Sequence, residues 1–255
     1  MQYSVIKQAL EGVKKPMNLE PPLPGTKKWT LTFPPGTDPK VSAGLSFAYL
    51  GAGTNKMVFR VYQNTQPTTW VLGMQHNPKS STGAKDIKDE ISILNRLAHD
   101  GVSVPQPFSP STVEADVLIN FELDNYDSGD VGKVCGFPEE YFDLRTPEHP
   151  AGLYLEMNKN AGDLKNWLKA KVLDAFRPNK TQFENLRTSF GKMKASWDKK
   201  YWGDFQVIYD INGGRLIVFD PNNETTNHKA TDEILRQWQD DINHYTTSHF
   251  DAIPN

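Results

Sequence analysis

The sequence predicts an α+β domain in two lobes, on three observations. The stretches Leu45–Tyr62 and Thr69–Gln75 are aromatic and β-branched and are broken by glycines, as strands are. A helix follows over Lys85–His99, where Ile87, Ile91, Leu94 and Leu97 fall at helical spacing and Gly101 stands just past the end. Further on, two helices, a hairpin turning at Asn212-Gly213 and a last helix complete the chain. Strands, helix, strands, helices, hairpin, helix is an order that suits α+β architecture.

Taken in order, residues 1–44 read as an extended N-terminal extension. They carry Pro16, Pro21, Pro22, Pro24, Pro34, Pro35 and Pro39, which interrupt helices and central strands. Ordered structure is expected from Leu45. Residues 116–123 and 152–157 read as further strands. Between them Asp124–Pro150 is rich in Asp, Gly and Pro and has no clear period, so it reads as a long loop or insertion. Gly162–Ala175 and Thr181–Lys200 read as helices, the second with Leu186, Phe190, Met193 and Trp197 along one face. Val207–Phe219 is the hairpin and Thr231–Tyr245 the last helix. The expected division is an extension (1–44), a first lobe (45–157, with the insertion at about 124–150) and a reduced helical second lobe (158–255).

Composition narrows the functional classes. The chain has 255 residues, 37% hydrophobic and 23% charged, the balance of a soluble globular protein. A net charge of -3 gives no electrostatic reason to expect nucleic acid or an anionic membrane as partner. No apolar run approaches the ~20 residues of a membrane span, and Met1–Lys15 lacks the basic-then-apolar order of a signal peptide. Cys135 is the single cysteine and the six histidines are scattered, so neither a disulfide framework nor a Cys or His metal cluster is expected. A reducing, cytosol-like compartment fits, either the cell's own cytoplasm or that of a host.

Five segments carry chemistry. In Leu50-Gly51-Ala52-Gly53-Thr54-Asn55-Lys56-Met57-Val58, two glycines spaced by one residue let a strand-turn-strand close over phosphates with no side chain in the way. The motif resembles the glycine-rich loop of protein kinases, G-x-G-x-x-G-x-V, with Lys56 standing where the third glycine belongs. Leu72-Gly73-Met74-Gln75 is similar to the third kinase strand, V-A-I-K, with the small Gly73 facing adenine and the neutral Gln75 where the phosphate-binding lysine belongs. The with-no-lysine kinases show the same pair of departures, and there a lysine at the third glycine position reaches the phosphates. Glu90-Ile91-Ser92-Ile93-Leu94 resembles the regulatory helix whose glutamate pairs with that lysine, and Glu90 lies fifteen residues beyond Gln75.

Leu153-Tyr154-Leu155-Glu156-Met157, followed by Ala161-Gly162-Asp163-Leu164, resembles a kinase hinge running into the second lobe, where backbone groups bind adenine. An ordinary buried strand before an Asp-capped helix has the same pattern. Last, Gly203-Asp204-Phe205-Gln206 and Val218-Phe219-Asp220-Pro221 bracket the hairpin, which brings two carboxylates to one end of it. Phosphoryl transfer uses such a pair, one to orient the attacking hydroxyl and one to hold Mg²⁺, although aspartates around a turn also serve simply as turn formers. Trp202-Gly203-Asp204 is similar to the His-Gly-Asp of aminoglycoside phosphotransferases.

The chain thus resembles a minimal, divergent member of the protein kinase-like superfamily, of the bacterial effector or toxin type. The resemblance implies a bilobal fold, with a small antiparallel-sheet first lobe carrying one helix and an ATP pocket between the lobes. It implies an ATP- and Mg²⁺-dependent kinase acting on a protein Ser/Thr hydroxyl. Asp204 would be the base, with Lys56 and Glu90 also catalytic. Gly51, Gly53, Lys56, Gln75, Glu156 and Met157 would bind nucleotide, and Asp220 and Gln206 would bind the metal. The alternatives are a small-molecule phosphotransferase, a pseudokinase that only binds a partner, and an AMP-transferring enzyme.

Overall fold

Met57, Phe59 and Val61 alternate with Lys56, Val58 and Arg60 along one strand, and the first three are fully buried. This two-residue period gives the strand an apolar face for a core and a second face free for other duties. The computed structural model describes residues 3–26, 28–52, 56–75, 81–105, 112–119, 129–142, 152–156, 161–203, 206–222 and 228–249. Contacts divide the chain into two units: Met1–Ile91 with Gln106–Tyr141, and Ser92–Pro105 with Phe142–Asn255. The fold is mixed α+β, and among the described residues no helix is long and apolar enough to cross a membrane.

The first unit contains α1 (Tyr3–Glu11), β1 (Met17–Glu20), β2 (Thr30–Thr32), α2 (Pro39–Ser42), β3 (Leu45–Ala52), β4 (Lys56–Gln63), β5 (Gln66–Gln75), the start of α3 (Ser81–His99), β6 (Val113–Ile119) and β7 (Val131–Glu140). Its seven strands run β2-β1-β6-β7-β5-β4-β3, antiparallel at every step except β1–β6. The edge strands β2 and β3 approach each other without pairing, so the sheet curls toward a barrel, and Phe33 meets Phe47 across the seam at 5.7 Å. Inside lie Phe59, Trp70, Leu72, Met74 and Val113, and with them Ile6, Leu10, Met17, Leu19 and Leu31.

That last group corrects the expected 1–44 extension, because order begins at Tyr3 and the segment supplies part of the core. Its prolines punctuate short elements instead of dissolving them. Pro16 precedes β1, Pro21 and Pro22 follow it, Pro34 and Pro35 follow β2, and Pro39 opens α2 behind an Asp38 cap whose side chain accepts from the Lys40 N–H at 2.8 Å. The expected insertion at 124–150 is corrected too, since its middle forms β7, an interior strand between β5 and β6. Gly136 is there because a β-carbon would fall 2.5 Å from the Gly73 carbonyl oxygen. A first unit with a larger, curled sheet thus stands where a small first lobe was expected, and the chain divides after Ile91, Pro105 and Tyr141.

The second unit holds the end of α3, β8 (Gly152–Glu156), α4 (Ala161–Trp167, continued as a π-helix over Leu168–Phe176), α5 (Lys180–Trp197), β9 (Gln206–Asp210), β10 (Arg215–Phe219) and α6 (His228–His249). The π-helix closes on a bond from the Arg177 N–H to the Val172 carbonyl. The three strands form an antiparallel sheet, β10-β9-β8. α5 starts from a capping box at Asn179 and Gln182 and packs on β10, where the Ser189 hydroxyl accepts from the Leu216 N–H at 2.9 Å. Trp167 and Trp238 join α4 to α6 with rings 5.4 Å apart. At the end of α3, Asp100 accepts hydrogen bonds from Lys199, Tyr201 and Ser196.

Candidate functional site

One candidate group, in the first unit, is built on the outer face of β4 and β5. Their antiparallel register sets Lys56 opposite Gln75 and Val58 opposite Gly73. Opposed residues on antiparallel strands share a face, their β-carbons roughly 5 Å apart. A lysine on β4 therefore starts beside Gln75, the position at which the resemblance expects a lysine. The Lys56 Nζ donates to both carboxylate oxygens of Glu90 on α3, at 2.9 Å and 3.0 Å. Only 14% of the lysine side chain and 7% of the glutamate side chain are exposed, so this pair is largely desolvated. The amine also lies 5.5 Å from the centre of the Phe137 ring.

Gln75, expected to face a nucleotide, is 2% exposed, and its side-chain oxygen accepts from the Cys135 N–H at 3.1 Å. The β5–β7 ladder ends at Met74 and Gly136, and the amide extends it by one bond. A lysine has no acceptor and would leave that buried N–H unmatched. The Lys56 stem lies against Gly73, where a β-carbon would meet its Cδ at 3.0 Å. Gly51 is on β3 opposite Val58, just past a bulge at Tyr49, while Gly53 lies outside the described residues.

The segment expected as a hinge forms β8, which pairs with β9 in the second unit, and the chain passes between units after Ile91, after Pro105 and after Tyr141. Glu156 sits on β8 opposite Gln206, and Met157 lies outside the described residues. Local sequence cannot give sheet membership, which rests on pairing partners. At the end of β7 the Tyr141 N–H donates to the Thr69 carbonyl at 2.9 Å, and Pro138 has no N–H to give. By alternation, Phe137 and Glu139 bond toward β5, whereas the Pro138 carbonyl and the Glu140 backbone groups point to the opposite edge. The Arg60 guanidinium stacks on the Tyr141 ring at 3.3 Å. The sequence reading missed this strand end. The signal was Glu139-Glu140-Tyr141 just after an apolar stretch, masked by Gly136 and Pro138.

A separate candidate group, in the second unit, lies at the open end of the β9–β10 hairpin. The Gly203 N–H donates to the Asn222 carbonyl at 2.8 Å, joining the chain on the far sides of the two expected aspartates. Asp204 itself lies outside the described residues. Asp220 has φ +50°, a left-handed conformation uncommon for a residue with a side chain, and its Oδ2 accepts from the Gln206 Nε2 at 2.9 Å. Such backbone outliers cost on the order of 1–3 kcal/mol and gather at functional positions. Among the described residues no three His, Cys, Asp or Glu side chains converge. Mg²⁺ does not require them, since it is usually held by one or two carboxylates, waters and substrate phosphates. The Asp220 carboxylate, with an amide beside it that offers oxygen on turning over, is a donor set of the right kind. A largely buried lysine fixed by a glutamate likewise suits a polyphosphate.

No protein-family model and no curated protein matches the sequence.

Proposed function

We propose that the protein is an ATP- and Mg²⁺-dependent phosphotransferase of the bilobal kinase-like type, passing a γ-phosphate to a protein Ser/Thr hydroxyl. The observation that carries the reading is the Lys56–Glu90 ion pair, with Lys56 in register with the neutral Gln75. Kinases require a lysine–glutamate pair of this kind for phosphate contact, and an isolated surface lysine would not be held this way. In this reading Lys56 neutralises α- and β-phosphate charge and Glu90 fixes its amine. Asp220 holds the metal with Gln206 beside it, and Asp204 orients the acceptor hydroxyl. Bound Mg²⁺ supplies charge neutralisation at the phosphates. An effector acting inside a host cytoplasm is the setting the resemblance favours.

The test uses α- and γ-labelled ATP with Mg²⁺ and a cell lysate, for the wild type, Lys56→Met and Asp220→Asn. Label should pass from the γ-position alone. Lys56→Met should lower the rate about a hundredfold, equivalent to roughly 3 kcal/mol of transition-state stabilisation, and Asp220→Asn should abolish transfer. No thermal stabilisation of the wild type by millimolar ATP-Mg²⁺ would overturn the reading. Transfer of the α-label would redirect it to AMP transfer.

A further inference from the structure

Gly73 lies on β5 two residues before Gln75, on the face that Lys56 crosses. Its backbone is not in the left-handed region, so glycine is not required there for conformation. What a side chain would meet is specific. A β-carbon at 73 would lie 3.0 Å from Lys56 Cδ and 3.6 Å from Lys56 Cγ, and the next nearest atom, the Phe137 carbonyl oxygen, is at an ordinary 3.8 Å. Carbon pairs settle at roughly 3.5–4.0 Å, so the pressure on a methyl group would come from the lysine stem. That stem has little freedom to move aside. Its root is held in β4 by ladders to β3 and β5, and its amine is held by two carboxylate oxygens.

We propose that Gly73 is a positioning residue: the missing side chain lets a lysine rooted on β4 cross β5 and reach Glu90. The proposal rests on the reading of Lys56 as the phosphate-binding lysine and deepens it. Moving the lysine to position 56 then involves two sites, the amine at one and the absent methyl at the other. A purely structural Gly73 makes the opposite prediction. Glycine weakens a strand interior, and alanine where the backbone allows it stabilises by restricting the unfolded chain.

The experiment compares the full-length wild type, Gly73→Ala, Lys56→Met and the double variant. The rate of Lys56 acetylation by limiting acetic anhydride is read by peptide mass spectrometry without nucleotide. ATP-Mg²⁺ affinity and melting temperature are measured alongside. Gly73→Ala should acetylate at Lys56 several-fold faster than wild type and bind ATP-Mg²⁺ roughly tenfold more weakly, within the usual range of coupling between touching residues. It should melt lower than wild type, in the direction of Lys56→Met, whereas a purely structural glycine would let alanine melt at or above wild type. Adding Gly73→Ala to Lys56→Met should leave the affinity unchanged, because no amine remains to displace. Gly73→Ser, which carries the same β-carbon, must behave like Gly73→Ala. Unchanged acetylation in both position-73 variants, or an equal loss of affinity with and without the amine, overturns the proposal. If the wild type binds no ATP-Mg²⁺, the phosphate reading fails alone, and the acetylation rates still decide the role of Gly73.

Discussion

The Lys56–Glu90 pair can be tested by stability as well as by chemistry, because so little of it touches water. Lys56→Met keeps the apolar stem and removes the charge, leaving the Glu90 carboxylate with 7% exposure and no cation at 2.9 Å. Breaking a buried pair from one side costs about 3–5 kcal/mol. With 14% of the lysine side chain exposed, solvent recovers part of that, and about 2–4 kcal/mol is expected. Glu90→Gln should cost a similar amount. The double variant, with two neutral groups of nearly the original shape, should be less destabilised than the sum, with a coupling of about 1–3 kcal/mol. At a few degrees per kcal/mol, each single variant should melt roughly 5–10 °C lower. Hydrogen exchange followed in β4 and in the first half of α3 isolates the first unit from the second. Additive losses with no coupling would refute the reasoning, since that is how an exposed, well-solvated pair behaves.

Two further outcomes follow from side chains that carry structural duties. Gln75→Leu leaves the Cys135 N–H buried without its acceptor and should cost about 1–3 kcal/mol in chemical denaturation while changing ATP-Mg²⁺ affinity far less than Lys56→Met does. Hydrogen bonds from Lys199 first, and from Tyr201 next, hold the Asp100 carboxyl at about 2, below its ordinary 3.8. A depressed carboxyl contributes stability that is fully present above its ordinary value and is lost as pH falls through the depressed one. Asp100→Asn should therefore flatten the stability profile between those two values and leave its shape at neutral pH unaltered, as read by melting at a series of pH values.

Much of the candidate site was legible because its signals are local. Lys56 announces itself inside a glycine motif, and Glu90 lies on a helix whose apolar period is plain. The hairpin bearing Asp220 and Gln206 was readable from Asn212-Gly213, and α5 from its apolar face. What stayed hidden depends on distant partners. β1 and β2 are four and three residues long, too short to display a period, and their burial depends on β6 beside β1 and β3 beside β2. β7 contains Gly132, Gly136 and Pro138, each a reason to reject an interior strand. The sheet accepts them because Gly136 faces the Gly73 backbone and Pro138 sits where no N–H toward β5 is needed. β8 was recognised as a strand but assigned to the wrong sheet, for which one chain segment holds no clue.

The parallel pairing of β1 with β6 imposes an order on folding. Met17 meets Val117 across a long stretch of sequence that holds β2, β3, β4 and β5, so their contact closes the longest loop in the curled sheet. Until that moment Ile6, Leu10, Met17 and Leu19 have no finished core to enter. Such long-range closure is slow, so α1 and β1 are expected to join the core late, and the apolar faces they bring stay exposed until β6 is in place.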